Sequence, residues 1–382
     1  MPSDRPLVLV TGSGGFLGRA LVARLVDRFT VVGLEAVVSG TSPSSFETIV
    51  TDLTSDDSVQ AAFERVQSGY GKSIAAVVHL AAYYDLSGDP SPKYQAVTVE
   101  GTRRLLRLLQ SFDVERFIFA STLLVHARSE RGQKIDEDAP LDPKTPYPQS
   151  KLDTESVLHA ERGKIPIAIL RLAGVYDENT NAVFLAQQIA NIFERKLVSH
   201  VYPGDLNAGQ PNLHIDDMID AMLRVIDRRA KLPEEVTLLI GETETLGYGD
   251  LQQRLGRLIH NEEWETREIP KALAKGGQWV QEDVLDQDPF VQPWMIDQSD
   301  MHYELDVSRA EQVIGWRPQH EMSEELPAMI AALKKDPPRW YKTNKLNPAR
   351  VAAEGTQWTQ ESAQEVAKRE AKSRAVDEQL KR

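Results

Sequence analysis

Leu7-Val8-Leu9-Val10 is a short apolar run that breaks at Thr11-Gly12-Ser13-Gly14-Gly15-Phe16-Leu17-Gly18 and continues in a helical pattern to Arg28. A run this apolar, with no polar alternation, reads as a strand buried on both faces of a parallel sheet. Glycines between such a strand and a helix allow a tight turn and bring backbone N–H groups and the positive helix end close to an anion. This order of elements predicts a dinucleotide pyrophosphate site rather than an ordinary strand-to-helix turn.

The rest of the N-terminal half repeats the pattern. Thr30-Val31-Val32-Gly33-Leu34 ends in Glu35, placed to accept hydrogen bonds from the adenosine ribose hydroxyls and to repel a 2′-phosphate. No Arg or Lys follows through Ala36, Val37, Val38, Ser39 and Gly40, so the expected cofactor is NAD(H) and not NADP(H). A third strand, 47–51, leads to Asp52-Leu53, where Asp52 is placed to accept from the adenine amino group. Strands at 75–80 and 117–120 follow. Ala81-Ala82 lets backbone lie against a flat cofactor, and Ser121 and Thr122 stand at a strand's carboxyl end, where doubly wound sheets bind ligands. The fold class expected is α/β, a doubly wound parallel (Rossmann) sheet with a smaller substrate lobe.

Tyr147-Pro148-Gln149-Ser150-Lys151 places a phenol and an ammonium one helical turn apart. Lys151 would stabilise the phenolate and lower the Tyr147 pKa toward neutrality, making it an acid/base. Tyr and Lys at this spacing also occur as an ordinary exposed helix pair. With the glycine turn and the hydroxyls at 121–122, the pair points to redox chemistry at a carbinol or carbonyl carbon. No HExxH is present and Cys is absent, so no metal is expected in that chemistry.

These segments, with HLAA (79–82), GTRRLL (101–106), FIFAST (117–122), LRLAGVY (170–176), LHIDDMIDA (213–221) and IGWRP (314–318), resemble the extended short-chain dehydrogenase/reductase family, also called the NAD-dependent epimerase/dehydratase family. The resemblance runs from Leu7 to about Leu333. It implies Thr122, Tyr147 and Lys151 as the catalytic set, with Val125-His126 in the position that selects Thr122 over Ser121. It assigns cofactor contacts to Gly12, Gly14, Gly15, Phe16 and Leu17, to Glu35, Asp52 and Leu53, to Leu80, Ala81 and Ala82, and to Ser121, Tyr147 and Lys151. It also implies a homodimer through helices near 93–111 and 147–162, with Leu105, Leu108, Leu152 and Val157 either on that interface or facing the sheet.

Four departures from the family pattern bear on the substrate. Leu123-Leu124 stand where dehydrating members carry an Asp-Glu pair. No Arg precedes His214 to hold a substrate diphosphate. Thr98 replaces an Asn, and Asp177-Glu178 replaces a Gly-Pro. Together these favour a neutral hydroxyl or carbonyl substrate over a sugar nucleotide, although Arg103, Arg104, Arg107 and Arg171 remain candidates for an anion. A sugar epimerase retaining NAD is the alternative, and a non-catalytic NAD-binding regulatory or assembly protein the second.

In 382 residues, 41% of them apolar, two lobes are expected: 1–176, completed by 213–240, and 177–212 with 241–334. A linker and charged tail would fill 335–382. Residues 261–305 carry Trp264, Trp279, Phe290, Trp294 and Tyr303, read either as a substrate lid or as aromatics packed on the body. The net charge of −13 disfavours nucleic acid as a partner. With no signal pattern after Met1 and no long apolar run, the expectation is a cytoplasmic protein without a membrane span.

Overall fold

The computed structural model describes residues 5–37, 46–85, 87–276 and 293–352. Residues 38–40, Trp279, Phe290 and the charged tail lie outside these, and so do the readings placed on them. Seven parallel strands form the main sheet. From one edge they run Glu235–Ile240, Ile167–Leu172, Phe117–Thr122, Ala76–His79, Leu7–Thr11, Thr30–Glu35 and Glu47–Val50. Chain order reverses between the first strand and Ala76–His79, which places the ligand crevice outside their carboxyl ends.

The strands are buried on both faces because their apolar residues split by parity. Val8 and Val10 join one core with the Phe16–Leu25 and Ile215–Arg228 helices, while Leu7 and Leu9 join another with Asp56–Tyr70 and Glu100–Leu109. A third core forms the smaller lobe. It gathers Tyr176, Leu185 and Ile189, then Leu255 and Trp264, then Leu326, Met329 and Trp340. The start of the segment expected to be a linker contributes to it. Asp336 accepts from the Arg339 N–H and caps the helix Pro337–Thr343, which buries Trp340 and Tyr341.

At the amino end of the sheet, buried Arg116 donates to the carbonyls of Ile167, Arg229, Leu232 and Pro233. It thereby ties the starts of two neighbouring strands and the turn before the edge strand into one set of bonds. No described helix is long and apolar enough to cross a membrane.

Leu105 and Val157 pack into the second core, so they are turned toward the sheet rather than toward a subunit interface.

Candidate active site

The nucleotide side is shaped by backbone approach. Gly12 has φ +70°, and a Cβ there would lie 2.9 Å from the Ala81 nitrogen. At Gly18 a Cβ would meet the Gly12 carbonyl oxygen at 2.0 Å. Only glycine fits either place, so the turn and the Leu80–Ala82 backbone close on each other as a flat cradle. Glu35 ends its strand directly against this turn. Its carboxylate accepts from the Gly14 N–H and, at 3.3 Å, from the Ser13 hydroxyl. It is therefore fixed at the crevice and is not a loose strand end. Asp52 Oδ1 accepts from the Thr54 N–H and hydroxyl, bonds that hold its carboxyl below the usual range.

A buried relay sets the position of residues 81–83. Thr102 donates to the Thr98 carbonyl at 2.6 Å, so its oxygen accepts from His79 Nε2–H at 2.9 Å. His79 Nδ1 then accepts from the Thr11 hydroxyl at 2.7 Å, and Thr11 in turn accepts from the Ala81 N–H. The Thr98 hydroxyl accepts from the Tyr83 N–H at 3.0 Å, so the residue replacing the expected Asn keeps a polar role. Complete burial and the nearby Lys151 push the His79 pKa down to about 3, which keeps the ring neutral and this single tautomer in place.

Helix Pro146–Glu161 starts beyond Thr145 with Pro at its first turn, and it packs against the carboxyl end of the Phe117–Thr122 strand. That packing brings Thr122, Tyr147 and Lys151 to one end of the sheet. Lys151 Nζ donates to the Ala120 carbonyl at 2.7 Å and lies 5.9 Å from the centre of the Tyr147 ring. The Thr122 hydroxyl accepts from the Leu124 N–H at 3.3 Å.

The electrostatics differ from the expectation. Burial pushes the Lys151 pKa down to about 7, with Glu155 opposing it. Burial, then Tyr84 and Tyr94, push the Tyr147 phenol up rather than down. The protein alone holds Tyr147 protonated, because desolvation of both partners outweighs an ammonium already bound to a carbonyl.

Other readings also need correcting. Arg171 is not an anion site. It is buried against Glu155 at 2.7 Å and also donates to the Glu137 carbonyl and His126. Ser121 donates to the same Glu155, so its hydroxyl faces into the body and not into the crevice. Arg103 pairs with Glu100 and Glu161, and Arg104 with Asp56. Asp177 is engaged within its own turn. It accepts from Asn179 N–H and the Asn181 amide, stabilising a turn in which Thr180 and Asn181 have φ of +79° and +47°.

The half-exposed Tyr84 meets the Tyr147 ring edge-on at 5.0 Å, and Tyr83 meets Tyr94 in the same way at 4.9 Å. Trp294 donates to the Ser87 carbonyl and contacts Phe184 at 6.3 Å. It also lines a cleft of about 580 Å³ with Ala127, Arg128, Asp142, Lys144 and Met301. Trp264 and Tyr303 are instead buried in the body, where they donate to the carbonyls of Ser199 and His126. Trp264 and Tyr303 thus match the reading of aromatics packed on the body, while Trp294 lines the cleft. Sequence reasoning passed over Tyr84, although its place just past a strand's carboxyl end was a usable signal. Phe184 had no local signal, since it meets Trp294 only through the fold, and the place of Trp294, which the sequence singled out, against the 87–88 loop is set the same way.

The comparisons with known proteins agree with this geometry. The model of the NAD dependent epimerase/dehydratase family matches residues 8–241. The chain is 25% identical to dTDP-D-glucose 4,6-dehydratase of Bos taurus over 88% of its length and 89% of that protein. It is 24% identical to a 3-beta-hydroxysteroid dehydrogenase of Mycolicibacterium neoaurum, over 85% and 92%. Among solved structures, dTDP-glucose 4,6-dehydratase from Bacillus anthracis in complex with NAD superposes with TM-score 0.67 at 18% identity, covering 88% of this chain and 99% of that one. UDP-glucuronic acid 4-epimerase from Bacillus cereus, in complex with UDP-glucuronic acid and NAD, gives 0.65 at 22%, covering 86% and 99%. With the family model spanning more than half of the chain, this protein belongs to the NAD dependent epimerase/dehydratase family.

Proposed function

We propose that the protein is an NAD-dependent oxidoreductase acting at a hydroxyl or carbonyl carbon of a neutral small molecule. The observation that carries this reading is the convergence of Thr122, Tyr147 and Lys151 at the carboxyl end of the sheet, beside the glycine cradle. Gly12, Gly14, Gly15, Phe16 and Leu17 would hold the pyrophosphate. Glu35 would hold the adenosine ribose, and Asp52, Leu53, Leu80, Ala81 and Ala82 would flank the adenine and the rest of the cofactor. Bound there, NAD supplies a hydride acceptor or, when reduced, a donor.

The chain's own residues do the remainder. Thr122 orients the substrate oxygen. Tyr147 exchanges a proton with that oxygen at its phenolic Oη. Burial, Tyr84 and Tyr94 raise its pKa, so the phenol carries its proton before substrate and cofactor bind. Lys151 holds the ribose hydroxyls of the nicotinamide half. Leu123 and Leu124 offer no carboxylate for dehydration. The cleft beside Trp294 balances Arg128 and Lys144 against Asp142 and Asp297, which suits a neutral substrate better than a diphosphate.

A second reading, an epimerase on a nucleotide sugar, draws on the same Arg128 and Lys144, which line that cleft. The deciding experiment is mass spectrometry of nucleotide retained by the purified protein, followed by an NADH-coupled panel of ketones and alcohols. Exchangeable NAD(H) with net NADH turnover supports the oxidoreductase. Retained NAD without net turnover supports the epimerase, and no binding of NAD overturns both.

A further inference from the structure

Two histidines from distant parts of the chain meet outside the machinery described so far. His214 ends the strand Asn212–His214 and caps the helix Ile215–Arg228, its Nδ1 accepting from the Asp216 N–H at 3.3 Å. His320 follows the Ser308–Ile314 helix and precedes Met322–Lys335. The two imidazoles stack, with centroids 4.1 Å apart and planes inclined by 24°. Asp216 completes the group: each of the three side chains offers a ligand atom within 4.8 Å of the others.

The position of His320 is imposed by the buried Asp217. Its Oδ2 accepts from the Gln319 and His320 N–H groups, both at 2.9 Å. The same oxygen lies 3.1 Å from His320 Nδ1, yet that buried nitrogen has no hydrogen bond. The carboxylate at this distance orients the His320 ring, as outer-shell carboxylates orient ligating imidazoles. A neutral imidazole presents one ring nitrogen whose lone pair can ligate a metal. Asp216 contributes Oδ1 to a surface pair with Arg24 at 3.0 Å, which engages only one of its two oxygens.

We propose that His214, His320 and Asp216 form a binding site for one first-row divalent transition ion, represented by Zn²⁺, with water completing the shell. Two imidazoles and one carboxylate are a donor set that such ions favour over Mg²⁺ or Ca²⁺. The ion would fasten the first turn of the Ile215–Arg228 helix to the start of Met322–Lys335, and so one core to the smaller lobe. The site is independent of the hydride chemistry proposed above.

The test uses the full chain, stripped with a chelator and titrated with Zn²⁺ by calorimetry and with Co²⁺ by visible absorption. Expected are one equivalent bound, a coordinated Co²⁺ spectrum and a rise in melting temperature with Zn²⁺. His320→Ala should weaken binding by about 100-fold or more, and Asp216→Asn by about 10-fold. His159→Ala, which removes an exposed histidine elsewhere, should leave binding unchanged. Absence of saturable binding to the wild-type chain overturns the proposal, and so does affinity in His320→Ala equal to the wild type. If His320→Ala does not melt cooperatively, wild-type affinity in Asp216→Asn overturns it instead.

Discussion

The two sides of the crevice are built by opposite means. On the nucleotide side, one continuous stretch, 11–18, meets Glu35 and the 80–82 backbone at distances that exclude any side chain at Gly12 and Gly18. On the proposed substrate side, Tyr84, Tyr147, Phe184 and Trp294 come from four separate segments and meet in two ring pairs, Tyr84 with Tyr147 and Phe184 with Trp294. The first is specified by what the backbone can do, and the second by what side chains happen to meet. Backbone geometry restricts sequence to very few residue types, while ring packing accepts many.

That contrast can be broken by experiment. The largest effect should come from Tyr147→Phe, which removes the proton donor and should lower turnover by roughly 10²–10⁴-fold. NAD affinity, measured by titration, should stay within about twofold, since a change of about 0.4 kcal/mol is all that this allows. Joint loss of both would mean that the two sides are not separable. Gly18→Ala should do the reverse, forcing the turn away from the Gly12 carbonyl and weakening NAD binding by about 10- to 100-fold, the equivalent of about 1–3 kcal/mol of overpacking. Unchanged affinity would undo the claim that close backbone approach builds this side.

Glu35→Ser should narrow the preference for NAD over NADP by roughly tenfold, about 1.4 kcal/mol. A preference that does not move would show that Glu35 serves the turn and not the ribose. Trp294→Ala should raise KM severalfold, about 1 kcal/mol, with NAD affinity untouched. An unaltered KM would return Trp294 to the role of a packing residue.

The smallest effects are in pH dependence, and here too the two regions differ in sign. Buried His79 has its pKa lowered from 6.5 to about 3, so the unfolded chain binds the extra proton between those values. Stability from His79 is present above pH 6.5 and is lost as pH falls toward 3. In the smaller lobe, burial raises Glu242 from 4.5 to about 8, although it accepts from the Met322 N–H. Its folded form keeps the proton, so stability is full below pH 4.5 and is lost as pH rises toward 8. Chemical denaturation across pH should show slopes of at most about 1.4 kcal/mol per pH unit from each. Glu242→Gln should remove the alkaline slope alone; an unchanged slope would refute this assignment.

The sequence displayed the sheet and the nucleotide turn because each depends on a short contiguous pattern. The substitution of Thr98 for an expected Asn was visible, but its bond to the Tyr83 N–H was not, since that needs the 81–83 backbone in place. Arg171 looked available because its partner Glu155 lies on another element, where only the register of the Pro146–Glu161 helix against the sheet brings them together. The direction of the Tyr147 pKa was hidden for a related reason. Spacing gives the distance to a lysine but not the burial of both, and burial outweighs the pair. The helix Pro337–Thr343 was concealed behind two prolines that read as a stop, although proline at a helix's first turn also begins one.

The carbonyl set around Arg116 has a consequence for synthesis on the ribosome. Its acceptors at 229–233 are translated only after the chain has left the sheet, built residues 177–212 and returned. A nascent chain ending near 180 already owns six of the seven strands, yet it must either hydrate this guanidinium or bury it unmatched. The sheet therefore seals late, and the excursion that becomes the outer lobe emerges before the platform beneath it is closed.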